Sequence, residues 1–229
     1  MGIQALMSDP LNYLRSVLLM LPAVLPALVL HECAHGWVAY KLGDPTAKMM
    51  GRLTLNPLKH LDPLGTLSLI FLGLGWAKPV PINPRYFKNA RRDDLMVSLA
   101  GITANLIMFL VGFLIYMLLS VAAFHGMDQS WSVWNAVYEI IINFISINLG
   151  LAIFNLIPIP PLDGYHVLND IILKRSLFAT QQAARVGQLA LYVLLWTGVL
   201  GQVLSRIEGW VLNGVSRGFI SLFRLIGLV

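Results

Sequence analysis

VLLMLPAVLPALVLHECAHGWVAY, residues 17–40, is an otherwise uncharged apolar run that contains the three polar, ionisable side chains His31, Glu32 and His35. A run of this length can cross a bilayer core, which takes about 20 apolar residues in a helix. Two histidines four residues apart share one face of that helix, and the glutamate between them points close by. This is the pattern His-Glu-x-x-His, in which both imidazoles bind zinc and the carboxylate handles protons. Its setting sharpens the reading. An ionisable residue at membrane depth costs at least ~2.5 kcal/mol on insertion scales and marks a functional site by default. His31 lies about 15 Å along the axis from Lys41, well inside a core about 30 Å thick.

Composition agrees with a membrane setting. Of 229 residues 57% are hydrophobic and 12% charged, far below the roughly 25% charged content of soluble domains. The net charge of +5 comes from basic residues in short loops. A positive-inside topology explains them better than a nucleic-acid partner does. The single cysteine, Cys33, excludes an internal disulfide. The N-terminus, with Asp9 and Pro10, lacks the basic region and small-residue cleavage site of a signal peptide, so the first span is expected to be retained.

Outward from the first span, Pro22 and Pro26 are expected to bend it. Leu42 to Pro63 reads as a cytoplasmic loop carrying Lys48, Arg52, Lys59 and His60, although Arg15 argues for the opposite orientation. Leu64 to Trp76 is too short to span and reads as re-entrant. Closely spaced prolines then hold Trp76 to Pro84 extended. Lys88, Arg91 and Arg92 precede a second span, Leu95 to Phe124. The loop from His125 to Ser132 has no Lys or Arg and is placed outside, with Trp131 and Trp134 at the interface. A third span, Val133 to Ile157, returns inward, with Lys174, Arg175 and Arg185 following. Gly187 to Leu204 makes a fourth span of marginal length. Arg206, Asn213, Arg217 and Arg224 then share one face of an amphipathic helix or fifth span. The expected fold is an all-α polytopic membrane protein with about four transmembrane helices. A short re-entrant or extended segment and a C-terminal amphipathic or membrane helix complete it. The whole is read as one domain over 1–229, with its core at about 17–170.

A catalytic zinc takes three protein ligands and keeps one position open. Asp163 follows a span on the same inferred side as His31 and is the best third candidate. From spacing alone it reads equally well as the N-cap of a helix starting near Tyr165. Asn105, costly in a span unless paired, and Asn143, Asn148 and Asn155 could all be interhelical hydrogen-bonding groups; Asn155 is also close enough to Asp163 to act beside it. Glu139 reads as a snorkelling or paired acid, and His60, His125 and His166 as ordinary polar residues. Trp76 to Pro84 is either a rigid turn or an edge on which an unwound peptide pairs as an added strand, through Val80, Pro81 and Ile82.

HECAH at 31–35, Asn155 to Gly164 with its Leu-Asp-Gly end, and Gly101-Ile102-Thr103-Ala104-Asn105 together resemble the site-2 protease family of intramembrane zinc metallopeptidases, over about Val17 to Asp170. The resemblance implies one zinc per chain held by His31, His35 and Asp163, with Glu32 as the proton carrier. It also implies a substrate or oxyanion contact at Asn105, substrate pairing at residues 80–82, and cleavage of membrane-spanning substrates within the bilayer. The expected location is the cell membrane of a prokaryote, with the active site near the cytoplasmic side. Relatives commonly carry proline where Ile102 stands, and the PDZ and CBS domains of some relatives are missing, as in a minimal member. Two other readings stand beside this one. A membrane metal-binding or transport protein would usually show repeated halves, and none is visible; an inactive scaffold would be expected to have lost a ligand or the base, and all four residues are present.

Overall fold

The computed structural model describes residues 2–72, 75–124, 132–173, 181–225 and 227. The expected outer-loop residues His125 and Trp131, and the basic residues Lys174 and Arg175, lie outside the described residues. The chain divides into two compact units, 1–105 and 106–229.

In the first unit, α1 (Gly2–Ser8) leads into the long α2 (Pro10–Lys41). Asp9 caps α2 by accepting the Asn12 N–H at 3.1 Å, and Pro10 sits at the first turn, where its missing N–H costs nothing. Pro22 and Pro26 lie inside this one helix. Thirty-two residues reach about 48 Å, more than a bilayer core. After Gly43, whose φ of 108° turns the chain, come α3 (Thr46–Met49) and a 3₁₀ turn at Pro57–Lys59. Next is α4 (Pro63–Leu72), about 15 Å long and too short to span. The Tyr13 hydroxyl donates to the Ile70 carbonyl and ties α2 to α4. Beyond α4 the chain from Gly75 to Asn83 is extended. It holds one isolated antiparallel bridge, Leu61 to Ala77, and the described residues contain no strand. A 3₁₀ turn at Pro84–Tyr86 leads to α5 (Ala90–Phe124), within which the unit boundary falls.

The second unit contains the rest of α5, then α6 (Ser132–Asn155), α7 (Asp163–Leu168), a π-helical turn at Asn169–Leu173, α8 (Gln181–Trp196) and α9 (Val199–Leu225). Its core is Phe109, Phe113, Ile145 and Leu149, against which Val211, Leu212, Val215 and Phe219 of α9 pack. The amphipathic pattern of α9 therefore has a packing cause: one face docks on α5 and α6, while Arg206, Asn213, Arg217 and Arg224 stay exposed.

Among the described residues three helices, α2, α5 and α6, are each long and apolar enough to cross a membrane. Along α5, Leu106, Ile107, Leu110, Val111, Leu114, Ile115 and Leu118 are exposed, as a lipid-facing surface requires. The expected fourth span, Gly187 to Leu204, is not one continuous helix: the chain bends by 75° between α8 and α9, at Gly198, whose φ of 73° an ordinary residue resists. Taken together the bent pair is long and apolar enough to count as a fourth span.

Candidate metal centre

His31 and His35 project from adjacent turns of α2 and are each 7% exposed. Their rings meet edge to face, with centroids 4.6 Å apart. What fixes them is the first part of α5. His35 Nδ1 lies 2.7 Å from the Val97 carbonyl oxygen, and His31 Nδ1 lies 2.6 Å from Asn105 Oδ1. The fully buried Asn105 also donates from Nδ2 to the Ala27 carbonyl at 3.3 Å. That donation makes Oδ1 the acceptor end of the amide, so His31 Nδ1 carries the proton. The Val97 carbonyl can only accept, so His35 Nδ1 is protonated too.

In the neutral rings each Nε2 is then the acceptor nitrogen, and the two Nε2 atoms lie 3.0 Å apart. A cation shared between two such nitrogens would be favoured at that distance. Two zinc–nitrogen bonds of 2.0–2.1 Å at a tetrahedral angle place the nitrogens about 3.3 Å apart, close to the separation seen. The pair fits a metal, and the carbonyl and amide behind it are the outer partners that such ligands use to fix their tautomer.

Gly101, one turn before Asn105, makes the pair possible. A Cβ there would stand 2.3 Å from His35 Nε2 and 2.6 Å from His31 Cε1. Glu32, between the two histidines in sequence, accepts the Val80 N–H through Oε2 at 2.7 Å. Cys33 faces another side, donating to the Thr54 carbonyl at 3.1 Å, the oxygen that the buried His60 also reaches through Nε2 at 2.8 Å.

In the second unit, Asp163 is the first residue of α7; the cap position is Leu162, with no side-chain cap bond. The reading of Asp163 as an N-cap therefore does not hold. Gly164 lies so close to the end of α6 that a Cβ would stand 2.3 Å from the Leu156 carbonyl oxygen, so the turn fits only glycine. Asn155 Nδ2 and Asn148 Nδ2 donate one turn back along α6, to Leu151 and Phe144 at 3.0 and 2.8 Å. His166 is exposed and stacks edge to face on Tyr165.

Sequence reading passed over Arg52 and Asp44. Both sit in a segment read as a polar loop, yet they are 7% and 0% exposed. Arg52 Nη2 donates to the Lys78 carbonyl at 2.7 Å, and Asp44 Oδ2 accepts the Asn83 N–H at 2.6 Å. The signal was available in Pro79 and Pro81: a chain unable to form a regular ladder there needs side chains to fill its backbone hydrogen bonds. Gly101 was noted in its motif, but the space it leaves for two imidazoles is visible only in three dimensions.

Among known proteins, the "Putative zinc metalloprotease YwhC" of Bacillus subtilis is 41% identical over 208 residues, 87% of this chain and 88% of the relative. The "Putative zinc metalloprotease Rip2" of Mycolicibacterium smegmatis is 32% identical over 221 residues, covering 93% and 80%. The "Zinc metalloprotease MJ0392" of Methanocaldococcus jannaschii is 27% identical over 176 residues, covering 76% of this chain and 41% of the relative. No solved structure matches the chain. The model of peptidase family M50 matches residues 19–198, which include both histidines, Glu32, Asn105 and Asp163, and the chain belongs to that family.

Proposed function

We propose that this membrane protein is a zinc endopeptidase that cleaves membrane-spanning proteins within or at the edge of the bilayer, its zinc held by His31, His35 and Asp163. The observation that carries the reading is the pair of imidazole Nε2 atoms 3.0 Å apart, with each Nδ1 held from behind. Two imidazoles and a carboxylate are a donor set of the kind a catalytic zinc takes, which is why Asp163 is proposed as the third ligand, and family membership supports both zinc and peptidase chemistry. Zinc, when bound, acidifies a water molecule and polarises a peptide carbonyl.

The chain's own residues do the rest. Val97 and Asn105 hold the imidazoles in the tautomer that offers Nε2. Glu32, with one carboxylate oxygen held by Val80, has the other for the proton of the attacking water, and delivers that proton to the leaving amine. Asn105 is given the task of orienting His31, because both ends of its amide are engaged there. Substrate pairs along Val80, Pro81 and Ile82, with Asn155 proposed as a further substrate contact. Pro81 has no N–H and the Val80 N–H is engaged, so pairing there uses the carbonyls and the Ile82 amide.

Metal dependence tests the reading. Protein in liposomes with a single-span peptide substrate should lose cleavage when a chelator strips the metal and regain it when about one equivalent of zinc returns. Cleavage that survives verified removal of zinc would refute it.

A further inference from the structure

The extended chain between Ala77 and Asn83 is held by an unusual set of partners. The Lys78 N–H donates to the His60 carbonyl at 2.8 Å, and the Lys78 carbonyl accepts from Arg52 Nη2 at 2.7 Å. The Asn83 N–H goes to Asp44 Oδ2 at 2.6 Å. Asp44, Arg52 and His60 are all nine-tenths or more buried. Between these anchors stands Val80, with proline on both sides. Pro79 and Pro81 fix their own φ, and Pro81 also restricts Val80 to extended backbone. Val80 is 6% exposed and packs against Gly36, where an added Cβ would stand 2.9 Å from Val80 Cγ1. The segment thus holds the Val80 N–H at a fixed place, and that N–H meets Glu32 Oε2 at 2.7 Å.

We propose that the Val80 backbone N–H, braced by Arg52 through the Lys78 carbonyl, is the positioning group for Glu32. A free glutamate side chain has three rotatable bonds and loses rotamer freedom when fixed. A short N–H to carboxylate bond from a rigid support fixes it in advance and leaves Oε1 free for proton transfer. The segment on which substrate is expected to pair and the proton carrier are thereby one mechanical unit. This inference rests on the reading of Glu32 as the base.

The test deletes the N–H alone, by placing α-hydroxyvaline at position 80 so that an ester replaces the amide. The expected result is a fall in kcat of about 10- to 100-fold, the size of a charge-assisted hydrogen bond, with KM within about twofold and zinc unchanged at about one per chain. Arg52→Met should lower kcat in the same direction, and Arg52→Lys, which can still donate to the Lys78 carbonyl, should recover part of the loss. A second readout is independent of activity: in Glu32→Ala the Val80 amide should exchange its hydrogen at least about tenfold faster, while the Asn83 amide, held by Asp44, keeps its rate. An unchanged kcat in the ester, a loss confined to KM, a loss of zinc, or an equally protected Val80 amide in Glu32→Ala would each overturn the proposal. Full activity of Glu32→Gln would instead remove the base itself, whereas the exchange measurement would still report the Val80 bond.

Discussion

Gly101→Ala is expected to strip the chain of its metal while leaving α5 intact. In a helix alanine is more favourable than glycine by about 1 kcal/mol, so nothing in the backbone opposes the change. The new methyl group has nowhere to go. It would lie 2.3 Å from His35 Nε2 and 2.6 Å from the Cε1 atoms of both rings, inside any real carbon contact. The imidazoles would have to turn, giving up their bonds to the Val97 carbonyl and Asn105 Oδ1. Loss of one outer partner typically costs 10- to 100-fold in metal affinity; here both ligands are displaced together, and the loss should exceed that range. Zinc per chain should fall from about one to below about 0.1 at micromolar free zinc, with helicity retained. Elemental analysis beside circular dichroism reads both. A fully loaded Gly101→Ala would mean that the histidines do not point where the structure puts them.

Glu32→Gln is the complementary case, expected to keep the metal and lose the reaction. The amide is isosteric, and its oxygen can still accept the Val80 N–H. What disappears is the ability to take a proton. General base catalysis contributes roughly 10²- to 10⁴-fold, or about 3–5.5 kcal/mol of barrier, and cleavage of a reconstituted membrane peptide should drop by that factor at unchanged zinc content. Wild-type cleavage by this variant would overturn the role given to Glu32.

Much of this could be read from residue order, because hydropathy and period are local properties. The three spans begin and end within a few residues of where apolar runs start and stop, apart from the earlier start of α2 at Pro10. The shared face of His31 and His35 follows from their spacing alone. Where reading failed, the deciding interaction was distant in sequence. Gly187 to Leu204 has continuous hydropathy, and one glycine at positive φ breaks it into two helices. Arg52 and Asp44 look like loop charges until the proline-rich segment that they hold is placed beside them. Asn105 was read as either an interhelical hydrogen-bonding group or a substrate contact; the partners that its amide takes, His31 and Ala27, lie more than seventy residues earlier. The turn at Leu162-Asp163-Gly164 was legible as a turn, but the close approach of Gly164 to Leu156 was not.

The central claim is that a zinc ion sits on two imidazoles and one carboxylate. X-ray absorption at the zinc edge of the wild-type protein, repeated on Asp163→Ala, tests it most directly. The account predicts nitrogen and oxygen neighbours at about 2.0–2.2 Å, the multiple-scattering signature of two histidines, and one fewer protein oxygen in Asp163→Ala. A sulfur neighbour at about 2.3 Å, which would bring in Cys33, or a spectrum unchanged by the loss of Asp163, would contradict it.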